Sequence, residues 1–159
     1  KSTPDFGGEQ ADFVVSTPQV GKMYLFQYHD PEYKEVLPFY DLFPLIFFIG
    51  PMTLKKGDGF MGINMHYLPP MARAVLLDAL TTEISDPDFN ADAFIKGFSY
   101  DRFKSLPGFK ECVKKYYFKG VKDREFLTVA PADWEYVVML PLQQWMINPN
   151  KKYAKSPPY

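Results

Sequence analysis

The stretch Gly59–Pro70, GFMGINMHYLPP, changes period part-way, and that change decides the fold. As far as His66 the residues alternate. Gly62, Asn64 and His66 fall on one side, with Met61, Ile63 and Met65 on the other, the two-residue period of a half-buried strand. Pro69-Pro70 then stops the strand. Beyond it Met71, Val75, Leu76 and Leu80 recur at helical spacing, and Pro70 suits a first helical turn, where its missing N–H is not needed. A strand that runs straight into a helix argues for α+β. His66, one of only two histidines, is expected at the rim of the polar side, hydrogen-bonded and structural. No His-x-x-x-His or Cys-x-x-Cys pair accompanies it, and His29 and Cys112 stand in other segments.

Working upstream, LKKGDG reads as a hairpin turn in which Asp58-Gly59 takes positive φ. Before it, PLIFFIGP is a short apolar run between breakers, a buried strand near 43–49. Further back, Met23, Leu25 and Gln27 alternate with Tyr24, Phe26 and Tyr28 in a strand near 22–29. These strands and the one near 59–67 make an antiparallel sheet, the last two as a hairpin. A short strand at Asp12 to Ser16 and another in REFLTVA are further candidates. Residues 84–120 read as short helices broken at Pro87, Gly97 and Pro107-Gly108, the last near 108–118 and stopped by Gly120. PADWEYVVMLP begins as a helix, is cut at Pro141, and should be anchored on the sheet by Trp134. The expected organisation is an extended lead-in over 1–20, a single α+β domain over 21–146, and a Pro/Lys-rich tail over 147–159. The domain has a small, strongly bent antiparallel sheet of barrel-like curvature, with helices packed around it.

Composition agrees. A chain of 159 residues with 15 Phe, 11 Tyr and 2 Trp can bury a core large enough to offset folding entropy, and its 15 Pro favour short elements and rigid corners. The single cysteine excludes an internal disulfide and fits a reducing compartment or a particle interior. No run reaches the roughly 18–20 apolar residues of a membrane span. Residues 1–20 are acidic and polar rather than a signal peptide, and the start at Lys1 rather than Met is what a numbering that begins inside a longer or processed protein would give.

The formal net charge of −1 hides an asymmetry. Residues 1–95 carry 6 Lys/Arg against 13 Asp/Glu, whereas residues 96–159 carry 12 against 6. From Lys96 to Arg124 there are nine basic residues: Lys96, Arg102, Lys104, Lys110, Lys114, Lys115, Lys119, Lys122 and Arg124. Phe98, Tyr100, Phe103, Phe109, Tyr116, Tyr117 and Phe118 are interleaved with them. Lysines neutralise phosphates and aromatics stack on exposed bases, so this segment is a candidate DNA interface. The DNA-binding candidates are Lys104, Lys110, Lys114, Lys115, Lys119, Lys122 and Arg124. On a helix, Lys110 and Lys114 would share an outer face, with Cys112, Val113 and Tyr116 inward. The plain alternative is an amphipathic helix with a basic outer side and core aromatics. Two solvated faces that attract each other would equally explain the charge split.

Other chemistry finds little support. There is no GxxxxGK[ST] loop or GxGxxG, and the glycine-rich GDGFMG joins strand to strand rather than strand to helix. Ser99, Ser105 and Cys112 lack a nucleophile signature. Glu32 and Lys34, with Asp12 upstream, form an E-x-K triplet of the kind a metal-dependent nuclease needs, but such a triplet is common by chance.

Three blocks carry a resemblance: GKMYLFQYHDPEYKEVLPFYDLFPLIFFIG, GFMGINMHYLPPMARAVLLDAL and FLTVAPADWEYVVMLPLQQW. In this order they resemble the DNA end protector, or head completion, family of T-even-type tailed bacteriophages, over roughly residues 21–146. Members of that family are often longer at the N-terminus. The resemblance implies a non-enzymatic virion protein, assembled in the host cytoplasm, with no cofactor, catalytic residue or metal. It joins the filled head near the portal and shields packaged DNA ends from exonuclease. Its implied partners are other virion proteins near the portal or neck and linear double-stranded DNA ends, and no membrane. The alternatives are a neck or tail component making only protein–protein contacts, and a nuclease.

Overall fold

The structure, a computed structural model, describes residues 13–84, 87, 88, 90, 108–149 and 157. A six-stranded antiparallel sheet forms its centre, in the order β1-β7-β2-β4-β5-β6. The strands are β1 (Val14–Val15), β2 (Met23–Leu25), β4 (Leu45–Leu54), β5 (Gly57–Asn64), β6 (Val113–Tyr117) and β7 (Phe126–Val129). A two-stranded ribbon pairs β3 (Phe39–Asp41) with β8 (Trp145–Ile147). The helices are α1 (Tyr33–Val36), α2 (Pro70–Ile84), α3 (Phe109–Cys112) and α4 (Trp134–Val137).

Alternation along the strands builds two cores. Met23, Leu45, Phe47, Ile49 and Ile63 point to one face. There they meet Ala72, Leu76, Leu77 and Leu80 of α2, together with Phe109, Trp134 and Val138. Tyr24, Ile46, Phe48, Phe60, Tyr116 and Phe126 point to the other face, with Phe26, Tyr28 and Tyr40. The second face folds onto itself. The Phe26 ring, just past β2, lies 5.2 Å from Phe126 on the neighbouring β7, but also 5.7 Å from Phe60 on β5 and 5.5 Å from Tyr116 on β6, neither of which is next to β2 in the sheet. Only a strongly rolled sheet brings these rings together. The register shift between Phe48 and Gly50 helps, because an extra residue bends a strand and sharpens its twist. The roll stops short of a closed barrel. A single bridge, Tyr28 to Val121, spans the gap.

Most of the expected elements are present at nearly the expected places. The β4–β5 hairpin, the alternation of β2, the short β1, the strand β7 and the start of α2 at Pro70 all agree with the sequence reading. Trp134 is buried, donates its indole N–H to the Val129 carbonyl at 2.8 Å and meets the Phe47 ring edge-on, so it does anchor α4 on the sheet.

Several expectations need correction. The β4–β5 turn is Lys55-Lys56, not Asp58-Gly59. Gly57 takes the positive φ (+141°), while Gly59 lies in β5 and packs against Leu54 and the Tyr116 carbonyl. Met71 and Val75 of α2 are exposed, and the buried stripe is Ala72, Leu76 and Leu80, flanked by Arg73 and Leu77. Arg73 tethers α2 through hydrogen bonds to the Leu68 and Val138 carbonyls. The helix expected over 108–118 lasts only from Phe109 to Cys112, after which the chain is β6. The short helices expected between 85 and 107 lie outside the described residues. Near the C-terminus, β8 reaches Ile147, and the buried Asn148 donates its side-chain amide to the carbonyls of Tyr33, Lys34 and Leu37.

Candidate nucleic-acid interface

The conversion of the expected helix into β6 rearranges the basic residues. β6 is the last strand of the sheet order, paired with β5 from Val113↔Ile63 to Gly59↔Tyr117. Val113, Tyr116 and Tyr117 are β-branched or aromatic and suit a pleated surface, and β5 offers them a partner. Lys114 therefore shares a face with Tyr116, not with Lys110. It is half-buried, its ammonium 4.2 Å above the Tyr67 ring in a cation–π contact. It does not have the freely solvated position that a helical reading would give it. Lys115 is exposed on the strand, and Lys110 is exposed on α3.

After β6 the chain makes two 3-10 turns, Phe118–Gly120 and Lys122–Arg124. Lys119, Lys122 and Arg124 are exposed here. Lys119 donates to the Lys56 carbonyl at 2.8 Å, which ties the turn to the tip of the β4–β5 hairpin. The Arg124 guanidinium lies 4.1 Å over the Phe118 ring. Asp123 and Arg124 both have positive φ, +55° and +56°. Neither is glycine, and such backbone costs about 1–3 kcal/mol. The turn is held by Val121 and Lys122, whose carbonyls accept from the Arg124 and Glu125 amides. Below it the His29 amide donates to the Gly120 carbonyl at 2.8 Å and the Lys122 amide to the Gln27 carbonyl at 2.9 Å. Five exposed cations thus stand on this stretch of chain, Lys110 on α3, Lys115 on β6, and Lys119, Lys122 and Arg124 on the turns that follow, with the last turn backed by Phe118. Lys104, like Lys96 and Arg102, lies outside the described residues.

The tertiary structure adds Lys55 and Lys56, which sequence reasoning missed because they lie some 60 residues upstream and are joined to this edge by strand pairing and by the Lys119 and Tyr117 contacts. Lys56 is partly neutralised by Glu32 and Glu35 at 3.9 and 3.5 Å. Tyr117 links the two regions: its hydroxyl donates to the Glu32 carboxylate and accepts from the Lys56 amide. The bond to Glu32, before burial, raises the Tyr117 phenol above its ordinary range.

Beneath β6 lies a buried polar cluster. His66 is fully buried, not at a rim, because Met65–Tyr67 is a 3-10 turn that swings it inward. Asn64 caps that turn by accepting from the His66 amide at 2.9 Å. The His66 Nδ1 is 2.7 Å from Asp41 Oδ2, and the Asn64 amide donates to the same oxygen and to the Tyr116 hydroxyl. Asp41 Oδ1 accepts from the Phe43 and Gln144 amides. Asp41 Oδ2 thus joins the β3–β8 ribbon to β5 and the turn after it, while Oδ1 holds the chain flanking the ribbon, and the cluster's role is structural. Burial lifts the Tyr116 phenol well above its ordinary range. It also pushes the Cys112 thiol up to about 12, so this thiol is no nucleophile.

Glu32, Lys34 and Asp12 do not make a described metal site: Glu32 is engaged with Tyr117 and Lys56, and Asp12 is outside the described residues. Among the described residues no group of three or more His, Cys, Asp or Glu converges to hold an ion, and no helix is long and apolar enough to cross a membrane.

Residues 10–157 match the family described as the phage T4 terminal DNA protecting protein. The chain belongs to this family. The match spans β1 to β8 and includes the basic edge, so family membership covers the entire described fold. The family is one of bacteriophage proteins that protect DNA termini, not a family of known enzymes. No curated protein and no solved structure matches the chain.

Proposed function

We propose that the β6 edge and the two turns after it bind the phosphates of linear double-stranded DNA near its ends, and that binding shields those ends from exonuclease. Five exposed cations on α3, β6 and the turns that follow, the last turn backed by Phe118, are the observation that carries this reading. Family membership supplies the DNA terminus as the target. The protein acts in the virion, at the head–tail vertex, where it completes the filled head and meets other virion proteins near the portal. The resemblance of the three sequence blocks supports that location. The reading is non-catalytic.

A salt titration with linear and closed circular DNA of equal length tests it. Each neutralised phosphate contributes about −0.9 to the slope of log K against log salt, so five contacts give roughly −4 to −5. Lys115→Ala should lower that slope by about 1 at unchanged stability, because its ammonium is exposed. Lys114→Ala also removes the packing on Tyr67, so its effect on stability is the larger. With Mg²⁺ or Mn²⁺ present the linear DNA should stay intact; cleavage abolished by Glu32→Ala would establish a nuclease instead. Absence of binding to both DNAs at low salt would leave the basic edge as a dock for an acidic protein surface, the neck-scaffold reading.

A further inference from the structure

Next to the basic edge is a cavity of about 330 Å³. Its apolar wall includes Leu37, Phe39 and Tyr67, and Lys114 and Lys115 line the side facing β6. Asp30 and Glu32 line another side. Its size is at the lower end of ordinary small-molecule sites, and its mixture of a few polar groups with aromatic walls is their usual chemistry. The arrangement is selective. Asp30 already accepts from the Glu32 amide and Glu32 from the Tyr117 hydroxyl, and their remaining lone pairs repel a phosphate but accept from the exocyclic amino groups of a base. Lysines attract the phosphate. A nucleotide fits with its base toward the aromatic and carboxylate side and its phosphate toward β6, and the reverse placement is unfavourable. Extruding a base from within a duplex costs a few kcal/mol of unstacking and unpairing, and a terminal base, stacked on one side only, costs less.

We propose that this cavity takes one unpaired terminal nucleotide of a DNA end, with the base against Phe39 and Tyr67 and the phosphate at Lys114 and Lys115. The proposal rests on the DNA-end reading above and explains how an end is told from a duplex middle, which a row of exposed cations cannot do. Carboxylate acceptors further favour bases that carry an amino group over thymine.

The test uses the full chain and duplexes carrying the fluorescent base 2-aminopurine either at the terminal position or in the middle. Binding itself is followed by fluorescence anisotropy of a distant dye. The expected result is an emission change for the terminal probe alone. Val36 is 56% exposed at the cavity lip, so Val36→Trp should obstruct the cavity without unfolding the chain, which thermal melting verifies. It should abolish the terminal signal and leave the salt slope intact. Binding without a terminal signal, or a terminal signal that survives Val36→Trp, overturns the cavity assignment while the DNA-end reading stands. A second arm titrates the protein with deoxyguanosine monophosphate and follows the NMR resonances of Tyr67. Shifts lost in Val36→Trp support the cavity assignment. The same shifts in a protein that binds no DNA overturn the DNA-end reading and make the cavity a free-nucleotide site. Absence of shifts together with absence of DNA binding overturns both.

Discussion

Arg124 shows how a single residue can serve a surface at a cost to the fold. Its backbone is left-handed, at φ +56°, where a β-carbon is disfavoured and glycine is not. Its guanidinium is stacked on Phe118 and points a permanent cation off the turn. Arg124→Gly should therefore stabilise the protein by about 1 kcal/mol, the lower end of the strain such a residue carries, measured as a shift in the denaturation midpoint. The same change should reduce the salt slope of DNA binding by about 1. Stability and affinity are expected to move in opposite directions. If stability fell, the Arg124–Phe118 contact would outweigh the strain, and the residue would be structural.

The element that matters most for the proposed interface is β6, and it is the element least legible in the sequence. FKECVKKYYFKG satisfies a helical pattern locally, with apolar positions spaced to make an inner face. What overrides it is non-local: β5 presents an open ladder, and Tyr116 completes the ring cluster around Phe60 and Phe26. No window of sequence contains that partner. By contrast, the alternation of β2 encodes its own faces, since the period alone assigns Met23 and Leu25 to one core and Tyr24, Phe26 and Tyr28 to the other. In Gly59–Pro70 the period gives the strand and the helix start but not the burial of Asn64 and His66, which depends on Asp41 from β3. For the same reason the five exposed cations could be picked by composition, whereas Lys56 and the cavity could not, since both arise from strand pairing and the closing turn. That turn depends on Gly120. A β-carbon there would lie 2.5 Å from the Tyr28 ring and 2.8 Å from the His29 carbonyl. Neither neighbour is free to retreat: Tyr28 is buried in the aromatic cluster and accepts from the Tyr117 amide, and His29 donates to Gly120 itself. Gly120→Ala should cost about 1–3 kcal/mol by overpacking and should weaken DNA binding by displacing Lys119 and Lys122 together. A variant of full stability would mean that the turn adapts, and that the cations are not fixed by it.

For the molecule as a whole, the rolled sheet commits the fold to keeping its phenols protonated. Burial raises the pKa of Tyr28, Tyr67 and Tyr116 above the ordinary value of 10.0, and that of Cys112 from 9.0 to about 12. All four groups are neutral when protonated, so the folded state holds these protons to higher pH than the unfolded chain does. The sign follows: between the unfolded and folded pKa values the unfolded chain binds fewer protons, and stability falls as pH rises. The contribution is complete below about pH 8, a unit under the unfolded thiol value of 9.0, declines first through Cys112 and then through the tyrosines, and is lost as each folded pKa is passed. The core that supports the basic edge contains most of these groups, so DNA binding should fail together with the fold and not before it. Chemical denaturation at a series of pH values above 8 should show a steadily falling midpoint. Absorbance of phenolate should lag behind that of free tyrosine and then rise at the unfolding pH. Phenolate appearing near pH 10 for all tyrosines, with the fold intact, would mean that water reaches the aromatic cluster and that the rolled sheet opens in solution.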